Sequence, residues 1–165
     1  MTLDIEAALA KMSQALVQHC QQNNISNPVV VGIHSGGVWL AEKLIKHIKT
    51  TEPLATLDIT FYRDDFTRAG LHPKVKQTLL PSTENRHIIL VDDVLMSGRT
   101  IRAAMNEIFD FGRPSSITLA ILYDLQKREL PIRADVVGEV IQLEENQRIK
   151  LSGPKPLSVA LIKTE

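Results

Sequence analysis

The stretch from His87 to Ile101 reads HIILVDDVLMSGRTI. Ile88 to Val91 is an apolar, largely β-branched run, which suits a strand covered on both faces. Asp92 and Asp93 then fall where such a strand emerges at the carboxyl edge of its sheet. Adjacent carboxylates repel unless hydroxyl donors or a polyvalent cation compensates. Vicinal ribose hydroxyls and a hydrated Mg²⁺ both serve, because that ion takes hard oxygen ligands and keeps several waters. A few residues later Ser97-Gly98-Arg99-Thr100 opens a helix, whose first turn has unpaired N–H groups and partial positive charge. Gly98 allows close backbone approach, Ser97 and Thr100 add hydroxyls, and Arg99 adds charge, which together make a phosphate cup. Hydroxyls and a metal at one end with a phosphate at the other describe a ribose 5-phosphate.

Either half alone has a plainer meaning. A strand-final Asp-Asp pair often sits in a solvated turn, and Ser-Gly-Arg-Thr often only caps a helix. Their succession between a buried strand and an amphipathic helix is much more specific. The chain has neither a G-x-x-x-x-G-K-[ST] loop nor a G-x-G-x-x-G fingerprint.

Outward from this stretch, strands and helices alternate. Residues 3–22 carry Ile5, Leu9, Met12, Leu16 and Cys20 at helical spacing, with Asp4 and Glu6 in the first turn. Val29 to Ile33 reads as a central strand, followed by His34-Ser35-Gly36-Gly37 and a helix over 37–49. In that helix Leu40, Ala41, Leu44, Ile45 and Ile48 form one face, with Lys43, Lys46, His47 and Lys49 opposite or flanking it. Leu57 to Tyr62 alternates as a strand does, and residues 63–86 form a long polar excursion of the kind that serves as a lid. The sheet resumes at 87–92, a helix spans Arg99 to Phe111 before Gly112 and Pro114, and Ile117 to Tyr123 is another buried strand. ADVVGEV and LSVALI read as short late strands, with LEENQRIK as a charged turn between them. The expectation is one α/β domain over residues 1–165, a mostly parallel twisted sheet flanked by helices, with its ligand site beyond the carboxyl ends of the strands.

Composition narrows the classes. Lys plus Arg and Asp plus Glu each number 19, so no global field draws the chain to nucleic acid or an anionic membrane. Cys20 is the sole cysteine, which excludes an intramolecular disulfide, and it reads as a small apolar residue on the buried side of the first helix. The five histidines lack zinc-type pairing. No transmembrane run and no signal-peptide start is present, so a soluble cytoplasmic protein with no membrane contact is expected.

ILVDDVLMSGRTI resembles the phosphoribosyl-pyrophosphate (PRPP) motif of type I phosphoribosyltransferases. More narrowly DITFYRDD, DDVLMSGRT, FGRPSSITLA and RELPIRADVVG, in this order, resemble the PyrR family of pyrimidine-operon regulators, some of which are uracil phosphoribosyltransferases. The likeness spans about residues 5–140 and weakens in the tail. It implies a PRPP site over Asp92, Asp93, Val94, Leu95, Met96, Ser97, Gly98, Arg99 and Thr100. Asp92 and Asp93 would hold Mg²⁺ through water, with Asp93 the candidate for charge-stabilising or proton-handling duty. It further implies a pyrophosphate loop at His34, Ser35, Gly36 and Gly37, a hood over 63–86 with Arg63 and Lys76 as diphosphate contacts, and Asp124 and Arg128 near the base. Arg133 and Asp135 read as a structural ion pair. The implied partners are PRPP, uracil and UMP, a second or further copy in a dimer or tetramer, and pyrimidine-operon leader RNA met by Lys43, Lys46, His47, Lys49 and Lys127. A transferase for another base and a nucleotide-sensing RNA binder without turnover are the alternatives.

The chain departs from the family pattern at three places. Gly36 stands where an Arg is common, and His34 where a Lys or Arg is frequent, which removes charge at the leaving group. Asp124-Leu125-Gln126-Lys127-Arg128-Glu129-Leu130 replaces DRGHREL, losing an Arg and a His, and Met96 replaces the usual Tyr.

Overall fold

The computed structural model describes residues 2–59 and 78–165. Helix α1 (Ile5–Gln22) starts where the Asp4 carboxylate accepts the Ala7 N–H at 3.1 Å, satisfying a donor that a first helical turn leaves open. It buries Ala8, Met12 and Leu16. Strand β1 (Val29–Ile33) is buried throughout and leads into α2 (Gly36–Leu44), a 3₁₀ turn (Ile45–His47) and the short β2 (Ala55–Leu57). Strand β3 (His87–Leu95), helix α3 (Arg99–Asp110), β4 (Ser116–Asp124) and β5 (Val136–Val140) complete a five-stranded sheet in the order β2-β1-β3-β4-β5, parallel throughout. Strands β6 (Gln147–Ser152) and β7 (Ser158–Lys163) form a separate antiparallel hairpin.

Because side chains alternate along a strand, the sheet has two apolar faces. One packs Val30, Ile89, Val91 and Leu122 against Met12 and Leu16 of α1 and Leu40 and Leu44 of α2. The other packs Val31, Ile33, Ile88 and Leu90 against Ile101, Ala104 and Ile108 of α3. The hairpin joins the first face through Ile149, Leu151, Leu157 and Val159. Cys20 is half-buried beside that core, as expected for an apolar role, and burial raises its thiol pKa. Among the described residues no helix is long and apolar enough to cross a membrane.

Several boundaries differ from expectation, each for a tertiary reason. The helix expected over 37–49 ends at Leu44, because the Asn27 side-chain oxygen accepts the Thr51 N–H at 2.8 Å while the Thr50 hydroxyl donates to the Pro28 carbonyl at 2.7 Å. Those contacts draw the chain off the helix axis, so Lys46 and His47 sit in the 3₁₀ turn and Lys49 beyond it. Strand β2 covers 55–57, starting two residues before the strand expected over 57–62 and leaving Asp58 and Ile59 outside it, since its register with β1 runs from Val31 opposite Ala55 to Ile33 opposite Leu57 and stops where β1 stops. Residues 60–62 lie outside the described residues. Strand β3 reaches Leu95 because β4 pairs with it that far. LEENQRIK is not all turn: β6 begins at Gln147, which pairs with Lys163.

The excursion is anchored at its far end. Thr56 and Leu79 exchange backbone hydrogen bonds of 2.9 Å each, and the Thr83 hydroxyl donates to the Ile108 carbonyl at 2.8 Å. Residues 78–86 therefore dock on β2 and α3 and are not part of a lid.

Gly32 is required by packing: a Cβ there would stand 2.6 Å from the Val38 Cα. Gly32→Ala is expected to cost about 1–3 kcal/mol by overpacking, read from urea unfolding. Tyr123 is fully buried and its hydroxyl has no hydrogen-bond partner among the described residues. Burial, with the Glu139 and Asp4 carboxylates adding, pushes the phenol pKa from 10.0 up to about 12. The unfolded chain thus loses this proton first, so stability is full below the lower value and falls as pH rises through the window. Tyr123→Phe should remove that alkaline slope and raise stability by about 1 kcal/mol by deleting an unsatisfied group, as melts on both sides of the window would show.

Candidate active site

Strands β1 and β3 are neighbours, yet the chain leaves them in opposite directions. After β1 it enters α2 on one face, and after β3 it enters α3 on the other. In an open parallel sheet this divergence leaves a crevice at the carboxyl edge, where ligands bind. Both sequence-singled turns, 34–37 and 92–100, flank that switch point.

Their separation is set by two glycines. A Cβ on Gly36 would stand 2.6 Å from the Asp93 Oδ2, and one on Gly37 would run into the Val91 carbonyl oxygen. Both glycines lie in the first turn of α2, and the His34–Ser35 peptide before them is cis. Gly37 is buried, so close packing on β3 is its requirement, while Gly36 remains half-buried beside the acidic pair.

Asp92 and Asp93 lie within β3, not after it. The β1 ladder ends at Gly32 opposite Val91, so the acidic residues project past β1 while β4 still supports them. Asp92 is only 3% exposed, and its Oδ1 accepts the Asp93 N–H at 2.9 Å. The Asp93 Oδ1 accepts the Val94 N–H at 2.9 Å, and its Oδ2 faces Gly36. Gly98 precedes α3 with φ of 92°, a left-handed conformation that suits glycine, and the Ser97 hydroxyl accepts the Arg99 N–H at 3.2 Å. Residues 92–101, Leu125, Arg148 and Ile149 line one cleft of about 370 Å³. The acidic pair and the cup are thus brought together.

The donor set bears on a metal. No group of three or more His, Cys, Asp or Glu side chains clusters among the described residues. Two hard carboxylates without a protein cage fit an ion held mainly by water and ligand oxygens, as Mg²⁺ prefers.

Arg99 does not project freely into the cup. Its Nε donates to the Glu129 carboxylate at 3.0 Å, with both side chains half-exposed. The Ser97 carbonyl accepts the Glu129 N–H at 2.9 Å and the Leu130 N–H at 3.2 Å, and the Leu95 carbonyl accepts Leu125 N–H at 3.0 Å. The segment after β4 is therefore stitched to the loop after β3. Asp124 and Arg128 line a separate cavity of about 390 Å³ with Gln126, Ile132 and Arg133, sharing Leu95 with the first. The expected Arg133–Asp135 pair does not form; the Asp135 Oδ2 instead accepts the Leu119 N–H at 2.8 Å.

Arg63 and Lys76 lie outside the described residues. The five basic residues assigned to RNA do not make one patch. Lys43 and His47 border a groove against α1, and Lys49 borders a second one with His47. Lys127 follows β4 at the carboxyl edge, from which α2 runs away, and its Nζ donates to the Leu143 carbonyl at 3.4 Å. Sequence reasoning did not place Glu129, Arg148 and Ile149 beside residues 92–101. Arg148 sits 49 positions beyond Arg99, and only the hairpin's long-range packing brings it near.

The model of the phosphoribosyl transferase domain matches residues 1–150. The bifunctional protein PyrR of Pseudomonas paraeruginosa is 56% identical over 152 residues, which cover 92% of this chain and 89% of that one. The bifunctional protein PyrR of Pseudomonas fluorescens is 52% identical over 154 residues, 93% of this chain and 92% of that one. The likeness therefore extends past residue 140. In fold, a Bacillus anthracis hypoxanthine-guanine phosphoribosyltransferase matches with a TM-score of 0.71 at 21% identity, covering 90% of this chain and 85% of that one. A Staphylococcus aureus hypoxanthine phosphoribosyltransferase gives 0.68 at 23% identity over 89% and 78%. With the strand order in place and these identities over most of its length, the chain belongs to the phosphoribosyl transferase domain family and, within it, to the PyrR proteins.

Proposed function

We propose that this chain transfers the ribosyl phosphate of PRPP to uracil, yielding UMP and pyrophosphate, and couples pyrimidine nucleotide binding to regulation of a pyrimidine-operon leader RNA. The observation that carries this reading is the single cleft at the β1/β3 switch point, with Asp92 and Asp93 at one end and Ser97 to Thr100 at the other. The PyrR relatives, named as bifunctional, support the pairing of two activities.

The attacked carbon develops positive charge as diphosphate departs, so positioning and charge neutralisation matter more than a protein nucleophile. The N-terminal amides of α3 and the Ser97 and Thr100 hydroxyls hold the 5′-phosphate. Asp92 and Asp93 orient the ribose hydroxyls, and Asp93 stabilises charge near the reacting carbon. Asp92 and Asp93 would hold Mg²⁺ through water, and the ion would supply charge neutralisation for the departing diphosphate. His34 to Gly37 bring amide donors but no permanent cation to the leaving group. Asp124 and Arg128, in the neighbouring cavity that shares Leu95 with the cleft, are proposed to meet the base, and Arg63 and Lys76 are proposed as diphosphate contacts of a hood.

The uncharged 34–37 turn favours one second reading, a UMP-sensing regulator with little turnover. Incubation with PRPP, Mg²⁺ and uracil separates the two: UMP formation is expected, and UMP binding without any product would leave only the regulator. Hypoxanthine and orotate in the same assay should give no nucleotide. RNA contact through Lys43, Lys46, His47 and Lys49, with Lys127 contributing from a second surface, predicts that leader-transcript affinity falls steeply with salt, and light scattering should find a dimer or tetramer.

Asp93→Asn keeps an oxygen that accepts the Val94 N–H, so folding should be unaffected. Its affinity for Mg²⁺–PRPP is expected to drop at least about tenfold, ~1.4 kcal/mol, in calorimetric titration. Equal affinity in both proteins would remove Asp93 from the site.

A further inference from the structure

Two cations border the cleft of residues 92–101, Arg99 and Arg148. Arg99 is already engaged, its Nε 3.0 Å from Glu129. The Arg148 side chain makes no hydrogen bond or ion pair among the described residues. The turn at 34–37 adds no permanent charge. Among the described residues, an anionic ligand in this cleft thus meets one occupied guanidinium and one unoccupied one.

The placement of Arg148 follows from the hairpin. Ile149 and Leu151 of β6, with Leu157 just before β7 and Val159 within it, pack on the α1/α2 core, and Leu157 and Trp39 lie against Gly153. Alternation along a strand then turns Arg148 and Lys150 to the other face, which is exposed. The antiparallel ladder from Gln147 opposite Lys163 to Ser152 opposite Ser158 holds that face in register. Arg148 stands where β6 begins, at the rim shared with Leu125 and the 92–101 loop. A guanidinium is a planar fork that matches two phosphate oxygens at once, and it is more weakly hydrated than an ammonium.

We infer that Arg148 is a ligand-binding residue of this cleft, donating from its guanidinium to the 5′-phosphate seated at Ser97 to Thr100. The inference rests on the ribose-phosphate reading of the cleft. It assigns the C-terminal hairpin a part in binding: the hairpin supplies charge that the loops after β1 and β3 leave short. PRPP and UMP share this phosphate, so both depend on Arg148, whereas free uracil does not.

The test is calorimetric titration of Mg²⁺–PRPP and of UMP into the full chain and into its Arg148→Ala and Arg148→Lys variants. Loss of one charge-assisted contact should raise both dissociation constants about tenfold in Arg148→Ala. Arg148→Lys should recover part of this, because it keeps the charge and loses the fork. The KM for uracil at saturating PRPP and the melting temperature should not move, as the Arg148 side chain is exposed and has no ion pair among the described residues. Unchanged affinities in Arg148→Ala overturn the inference, as does weakened PRPP binding with UMP binding intact. Tighter Mg²⁺ binding with ligand affinity unaltered also overturns it, since the guanidinium would then only balance Asp92 and Asp93. A wild-type chain that binds neither ligand defeats the underlying reading of the cleft, a result distinct from any difference between variants.

Discussion

The contact on which this molecule turns is the backbone approach of α2 to β3. Gly37 lies against the Val91 carbonyl and Gly36 beside the Asp93 carboxylate, at separations that leave no room for a Cβ. Gly32, one strand over, meets the Val38 backbone in the same way. Side chains at these positions would push α2 off the sheet and move the 34–37 turn from the acidic pair. With glycine there, the turns after β1 and β3 share one crevice although their helices cover opposite faces.

Electrostatics then differentiates the two ends of that crevice. At one end two carboxylates fold their Oδ1 atoms onto the N–H groups that follow them, leaving Oδ2 of Asp93 toward Gly36. At the other end a helix N-terminus is extended by Ser97 and held open by the left-handed Gly98. A ligand with hydroxyls and a metal on one side and a phosphate on the other fits this polarity better than a uniformly charged one.

The segment after β4 connects the cleft of residues 92–101 to the cavity lined by Asp124 and Arg128. Leu125, Glu129 and Leu130 donate backbone N–H groups to the carbonyls of Leu95 and Ser97, and Glu129 also holds Arg99. An exposed ion pair contributes little to stability, ~0–1 kcal/mol. Its consequence here is positional, because it fixes where the Arg99 guanidinium rests when the cup is empty. Movement of residues 125–130 would therefore also be felt at Ser97 and Arg99.

Much of this was legible locally. The glycines, the apolar run 88–91, the Asp-Asp pair and the Ser-Gly-Arg-Thr cap each declare their conformation through near-neighbour chemistry, and the parallel α/β order follows from alternating periodicities. The ends of β2, α2 and β3 were misjudged because a strand stops where its partner stops, and a helix stops where a distant Asn27 captures its successors. Pairing of Arg133 with Asp135 was equally invisible to refute, since Asp135 is taken by a backbone amide sixteen residues away. Sequence alone thus determined the fold class and the two ends of the cleft, where short-range sterics and charge suffice. Tertiary structure alone decided that Glu129 holds Arg99 and that Arg148 completes the rim, because both depend on contacts between segments far apart in the chain.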